Sequence, residues 1–133
     1  MEKWTPSDEV KNLVIQYGGL IRKCPAATLW GMVDFYLQDM KGQRSGLTMF
    51  LRGKETVILD IIVPGWPIKF QAETIFHELY HVAQQLDWGW PQFCVTYAWQ
   101  WLRCGFSYDR MKNMGIEKEA YDQEEFFKAR LPK

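Results

Sequence analysis

The apolar residues change their spacing once in the middle of the chain, at Pro64-Gly65-Trp66-Pro67, and that change restricts the fold more than any other feature. Before it, Leu47 to Arg52 and Glu55 to Val63 are rich in β-branched and apolar residues, with Gly53-Lys54 between them as a short turn signal, the pattern of a β-hairpin. The second of these strands puts Val57, Leu59, Ile61 and Val63 on one face. Ile58, Asp60 and Ile62 share the other, where Asp60 must find a partner or the solvent. After the break, Ile75, Phe76, Leu79, Val82 and Leu86 recur at helical spacing from about Lys69 to Leu86. A hairpin leading into a helix, with further helical segments on both sides, predicts an α+β fold that is mainly helical, with a short sheet preceding this helix.

The flanking segments fill in that picture. Thr5-Pro6-Ser7-Asp8 reads as a helix start with Thr5 as N-cap, and Gly18-Gly19 ends that helix after Tyr17. A second helix is expected from about Pro25 to Met40, carrying Leu29, Met32, Val33, Tyr36 and Leu37, and stopped by Gly42. Trp88-Gly89-Trp90-Pro91 breaks the helix of 69–86, and a fourth begins after Pro91. It is apolar nearly all round from Phe93 to Leu102, which predicts a buried helix. A last helix runs from about Ile116 to Arg130 and ends before Pro132. With no internal repeat and no low-complexity linker, the 133 residues read as one domain, 1–133.

Composition narrows the function. Sixteen Lys and Arg balance sixteen Asp and Glu, so no net basic field exists to gather nucleic acid or an anionic membrane. The basic residues Lys41, Arg44, Arg52 and Lys54 flank the hairpin and read as a solvated face. The longest apolar stretch, Val57 to Trp66, is interrupted by Asp60, Pro64 and Gly65, short of the ~20 residues a membrane span needs. The N-terminal residues lack the apolar core of a secretory signal, which predicts a soluble, cytoplasmic protein. Three cysteines, Cys24, Cys94 and Cys104, form no C-x-x-C pair, and as small buried hydrophobes they suit a reducing compartment. The aromatic run Trp88, Trp90, Phe93, Tyr97, Trp99 and Trp101 reads as core rather than a base- or sugar-stacking surface.

The chemistry concentrates at His77-Glu78-Leu79-Tyr80-His81, an H-E-x-x-H pattern that contains both histidines of the chain. Residues four apart on a helix are neighbours on one face, roughly 6 Å between Cβ atoms, so both imidazoles reach one metal ion at about 2.0 to 2.1 Å. Glu78 lies beside that face, where its carboxylate can hold a water at the metal without being a ligand. Catalytic zinc usually takes three protein ligands, so one is missing. The extension H-x-x-G-x-x-H is absent: Gln84 stands at the glycine and Asp87 at the last histidine. Asp87 remains a candidate only if the chain leaves the helix at Gln84. The other candidates lie on the last helix, where Glu117 and Glu119 sit beside Ala120. They are about 200° apart on a helix, so only one of them can face the metal.

These residues resemble the gluzincin group of zinc metallopeptidases, which pair H-E-x-x-H with a Glu on a second helix, often written E-x-x-A. Gln84 and the E-x-E-A arrangement are particularly similar to the compact H-E-L-x-H-V-x-Q domains of bacteria, their phages and contractile injection systems, over roughly residues 55 to 125. The resemblance implies a small zincin-like domain, Zn2+ as cofactor, and Glu117 as third ligand with Ala120 allowing close helix approach; Glu119 is the alternative. It implies a peptide or protein substrate, hydrolysed with Glu78 as general base. Where relatives often have Asp or Asn to orient a histidine, this chain has Tyr121. Tyr97, Tyr108 and Tyr121 are the phenols available to an oxyanion. By analogy, the strand 55–63 is the edge to which an extended substrate would add. The alternative is a non-catalytic zinc-stabilised structural or interaction module of a phage or injection particle.

Overall fold

The computed structural model describes residues 1–113 and 115–132, the side chain of Tyr108 excepted. It is an α+β fold in which one long helix lies between a small sheet and a group of helices. The elements run β1 (Glu2–Lys3), α1 (Asp8–Gly18), β2 (Leu20–Ile21), β3 (Cys24–Pro25), α2 (Ala26–Met32), β4 (Val33–Gln38), β5 (Gly46–Leu51) and β6 (Lys54–Asp60). A 3-10 turn at Val63–Gly65 then leads to α3 (Ile68–Trp88), α4 (Trp90–Arg103), α5 (Tyr108–Met111) and α6 (Gly115–Arg130).

Among the described residues, the main sheet has the order β1-β4-β6-β5. β4 and β6 are parallel, with Phe35 opposite Val57, while β5 and β6 form the antiparallel hairpin, with Thr48 opposite Val57. Arg52 and Gly53 close that hairpin with left-handed backbone, φ 53° and 78°. β6 is therefore internal and β5 is the edge, which corrects the expectation that 55–63 forms the exposed strand. The hairpin is legible from its own residues, but its orientation depends on β4, a distant partner.

β4 is the larger departure. The helix expected from Pro25 to Met40 stops at Met32, and the chain becomes extended from Val33. Leu29, Met32, Val33, Tyr36 and Leu37 satisfy a helical period, but Val33 and Phe35 also alternate with Asp34 and Tyr36. Six backbone pairings with β6 decide for the strand. At the N-terminus Ser7, not Thr5, caps α1, accepting from the Val10 N–H at 3.3 Å. β6 also ends sooner than expected, so Ile61 and Ile62 are both exposed.

The core lies where α3 meets everything else. Val10 and Val14 of α1, Leu29 of α2, Phe35 of β4, Val57 and Leu59 of β6, and Ala120 and Phe127 of α6 gather around Ala72, Ile75, Phe76, Leu79 and Val82. Phe76 and Phe127 stack in parallel with ring centres 4.5 Å apart. From 75 to 85 every residue of α3 is buried, so its polar side chains lie inside the protein as well. Leu86, expected in the core, is exposed. So is much of α4, where Val95, Trp99 and Leu102 face outward and only Phe93 is buried. Of the three free cysteines, Cys104 is buried, while Cys24 and Cys94 are partly exposed. No helix among the described residues is long and apolar enough to cross a membrane.

Candidate metal centre

Two helices supply the centre. The helical spacing of 77 and 81 puts both imidazoles on the face of α3 that meets α6, with ring centres 4.9 Å apart and nearly perpendicular. His77, Glu78 and His81 present ligand atoms that all lie within 4.8 Å of one another. From α6, Glu117 directs Oε1 between the rings, 3.1 Å from His77 Nε2 and 2.9 Å from His81 Nε2. Donors held at about 2.0 to 2.1 Å from one tetrahedral ion stand about 3.3 Å apart, so this convergence has nearly the spacing a single ion requires. All four side chains are buried.

The far side of each imidazole is also held. His81 Nδ1 lies 2.8 Å from Gln84 Oε1, and Gln84 Nε2 donates to the Ile116 carbonyl at 3.2 Å, joining the two helices through one amide. His77 Nδ1 lies 3.1 Å from Glu124 Oε1, close enough for a charge contact though outside hydrogen-bond alignment. Each ring thus turns Nε2 toward the centre and Nδ1 toward a second polar group, the orientation seen for imidazoles that ligate metals. Ala120 is fully buried between Glu117 and Glu124, and its small side chain lets α6 approach α3. Tyr121 packs its ring 4.4 Å from that of His77.

With protons alone in the site, charge pairing dominates. Burial opposes a charge on His77, but the bond to Glu117, the close carboxylate of Glu124 and the field of Glu78 outweigh it and push the imidazole up to about 10. Burial likewise acts to raise Glu117, and the hydrogen bonds and charges of His77 and His81 hold it well below the usual carboxylate range. A buried imidazole pair sharing one carboxylate oxygen is a concentrated donor set that a divalent cation can replace protons in. Two nitrogens and an oxygen suit zinc and its neighbours in the first transition row better than magnesium or calcium.

Glu78 faces a different side. Its Oε1 and its backbone carbonyl both accept from the Thr48 hydroxyl, at 2.9 and 3.1 Å. Gly46 passes so close that a Cβ there would stand 2.9 Å from Glu78 Cγ and Oε2. The general-base candidate is thus fixed by two residues of the edge strand, neither of which the sequence singled out.

A cleft of about 580 Å3 opens over these groups, with Glu78, His81 and Glu117 in its floor. One wall is β5 and the loop before it; the other is α4, with Trp90, Phe93, Tyr97 and Trp101. The aromatic run expected in the core therefore lines a cleft, because one face of α4 turns to the site and another to solvent. Tyr97 donates to Glu117 Oε2 at 2.8 Å. Burial, then the charge and bond of Glu117, raise its phenol, and Arg44 offsets part of this. Arg44, expected on a solvated face, also lines the cleft.

The remaining candidates lie elsewhere. α3 continues through Gln84 to Trp88, and Asp87 accepts from Arg22 Nε at 2.8 Å, away from the histidines. Glu119 Oε1 accepts from the Tyr80 hydroxyl at 2.6 Å and from Arg22 Nη1. Burial and the Glu119 bond push the Tyr80 phenol up to about 12. The Tyr108 side chain is outside the described residues. Glu124, which the sequence reading does not single out, is the main omission; its place seven residues after Glu117, on the same helix face, is the signal that identifies it.

No protein-family model, no curated protein and no solved structure matches this chain.

Proposed function

We propose that this protein is a zinc-dependent metallopeptidase, with His77, His81 and Glu117 as ligands and Glu78 as general base. The observation that carries the reading is the convergence of two imidazole Nε2 atoms on one carboxylate oxygen in the floor of a cleft where a second, separately held carboxylate also opens. Held by His77, His81 and Glu117, a zinc ion would supply Lewis acidity and would bring the pKa of its water to about 7. Glu78 accepts the proton of the attacking water and returns it to the leaving amine. Thr48 keeps one oxygen of Glu78 occupied, so that the carboxylate does not swing into the ligand set. Gln84 and Glu124 hold the imidazoles with Nε2 inward.

The substrate side of the reading rests on β5. It ends the sheet, and among the described residues no strand pairs with its outer edge, while Gly46, Leu47, Thr48 and Met49 line the cleft. An extended peptide can add to that edge by backbone hydrogen bonds and lay its side chains against the aromatic wall of α4. Tyr97 lines the cleft with its hydroxyl on Glu117 Oε2, and in this reading it is the phenol that meets a developing oxyanion.

The test is cleavage of a mixed peptide library by the zinc-loaded protein and by Glu78→Gln. Cleavage by the first alone, with equal zinc in both, is expected. Equal cleavage by both excludes Glu78 as base. Stoichiometric zinc with no cleavage in either would favour a zinc-held structural or interaction module.

A further inference from the structure

The tip of the β2–β3 hairpin is strained for a reason that the peptidase reading leaves unused. Both tip residues, Arg22 and Lys23, have left-handed backbone, φ 48° and 75°. Turns of this kind favour Asn or Gly, because a larger side chain crowds the backbone there. Here the tip carries an arginine whose guanidinium is held by two carboxylates and a ring. Nε donates to Asp87 Oδ2 at 2.8 Å, Nη1 donates to Glu119 Oε1, and the group lies 5.2 Å from the centre of the Trp88 ring. One side chain therefore joins the hairpin, the last turn of α3 and the N-terminal end of α6.

That end of α6 is where rotation matters. A carboxylate roughly 6 Å from a helix axis moves about 1 Å for every 10° the helix turns, enough to spoil a ligand position. Glu117 and Glu119 lie on nearly opposite sides of α6. One is drawn to the histidines, while the other is held by Tyr80 and Arg22. Fixing Glu119 fixes the rotation of α6 on α3, and so the direction of Glu117. We infer that Arg22 is a positioning residue of the metal centre, which acts through Glu119 and Asp87 to aim Glu117 Oε1 at the two imidazoles. The inference rests on the metal reading above, and it makes the two carboxylates that lie away from the histidines part of the device that sets the third ligand.

Cobalt(II) is the probe, because a four-coordinate site gives it a visible spectrum that responds to ligand geometry. The full chain is titrated with cobalt(II) in competition with a chelator, with folding followed by circular dichroism. The wild type is expected to take up one cobalt. Arg22→Ala should weaken uptake roughly 10- to 100-fold, as other changes behind the ligands do, and alter the visible bands. Arg22→Lys should recover only part, since one ammonium cannot span both carboxylates. Lys23→Ala, in the same turn, should leave affinity and spectrum unchanged. In a Glu119→Ala background, Arg22→Ala should add less than it does alone. If Arg22→Ala does not fold, Arg22→Lys and Glu119→Gln are judged by the same shift. Wild-type uptake with unchanged affinity and spectrum in the folded Arg22 variants overturns the inference alone. A wild type that takes up no cobalt overturns the metal reading and this inference with it.

Discussion

Gly46→Ala separates the proposed base from the fold that carries it. The new Cβ would stand 2.9 Å from Glu78 Cγ and Oε2, where carbon contacts normally begin near 3.5 Å. Glu78 must therefore retreat by about half an ångström or more, and it cannot do so without stretching the 2.9 Å bond from Thr48. A misplacement of 1 Å at a catalytic group costs on the order of 100-fold, so peptide cleavage should fall roughly 10- to 100-fold. Stability should hardly move. Gly46 does not use left-handed backbone, so alanine gains about 0.4–1 kcal/mol by restricting the unfolded chain, against a contact cost of similar size. The assay is steady-state cleavage of a peptide found in the library screen, with zinc content and thermal midpoint measured on the same samples. In a Glu78→Gln background, Gly46→Ala should lower the residual rate no further. A wild-type rate in folded, zinc-loaded Gly46→Ala would refute the placement of Glu78 as base.

Three further outcomes follow from the packing and the charges. Burial raises Glu55 from 4.5 to about 7 in the folded protein, so its stabilising protonated form is fully present below pH 4.5 and its contribution is lost as pH rises through 7. At about 1.4 kcal/mol per unit the loss is at most about 3.5 kcal/mol, and a Gln85 amide turned to donate to Glu55 Oε1 reduces it; denaturant melts of metal-free Glu55→Gln and wild type across that range should diverge accordingly. Phe127→Ala removes the ring stacked on Phe76 and should cost about 3–5 kcal/mol in the same melts, and a loss below 1 kcal/mol would contradict the packing of α6 on α3. Glu124→Gln should weaken zinc binding roughly 10-fold by chelator competition, whereas Glu125→Gln, one residue further along the helix, should leave it unchanged.

The parts of the site that one helix encodes are legible in the sequence, and the parts that two distant elements encode are less so. His77, Glu78 and His81 follow from helical spacing alone. The E-x-E-A stretch offered two carboxylates, and geometry separates them, one at the histidines and the other at Tyr80 and Arg22. Glu124 was hidden among acids that do face solvent, because net charge carries no helix face unless positions are counted from Glu117. Thr48 and Gly46 could not be identified before β5 was known to run beside α3, since neither residue type signals a site in a strand. β4 fits a helix through Val33, Tyr36 and Leu37 and a strand through Val33 and Phe35, and the deciding pairings come from β6, about twenty residues away. α4 reads as buried in the sequence because a helix apolar all round is usually buried; here one face lines a cleft and Val95, Trp99 and Leu102 stay exposed.

The most direct test of the account is the zinc affinity of the full chain, measured by chelator competition for the wild type, His81→Ala, Glu117→Ala and Glu119→Ala, each shown to be folded. One zinc per chain is expected in the wild type, with near-complete loss in His81→Ala. Glu117→Ala should lose more than 100-fold, beyond the range typical of groups that only support a ligand, and Glu119→Ala should lose less than Glu117→Ala. Less than a tenth of an equivalent of zinc in the wild type, or equal affinities in Glu117→Ala and Glu119→Ala, would contradict the centre described here.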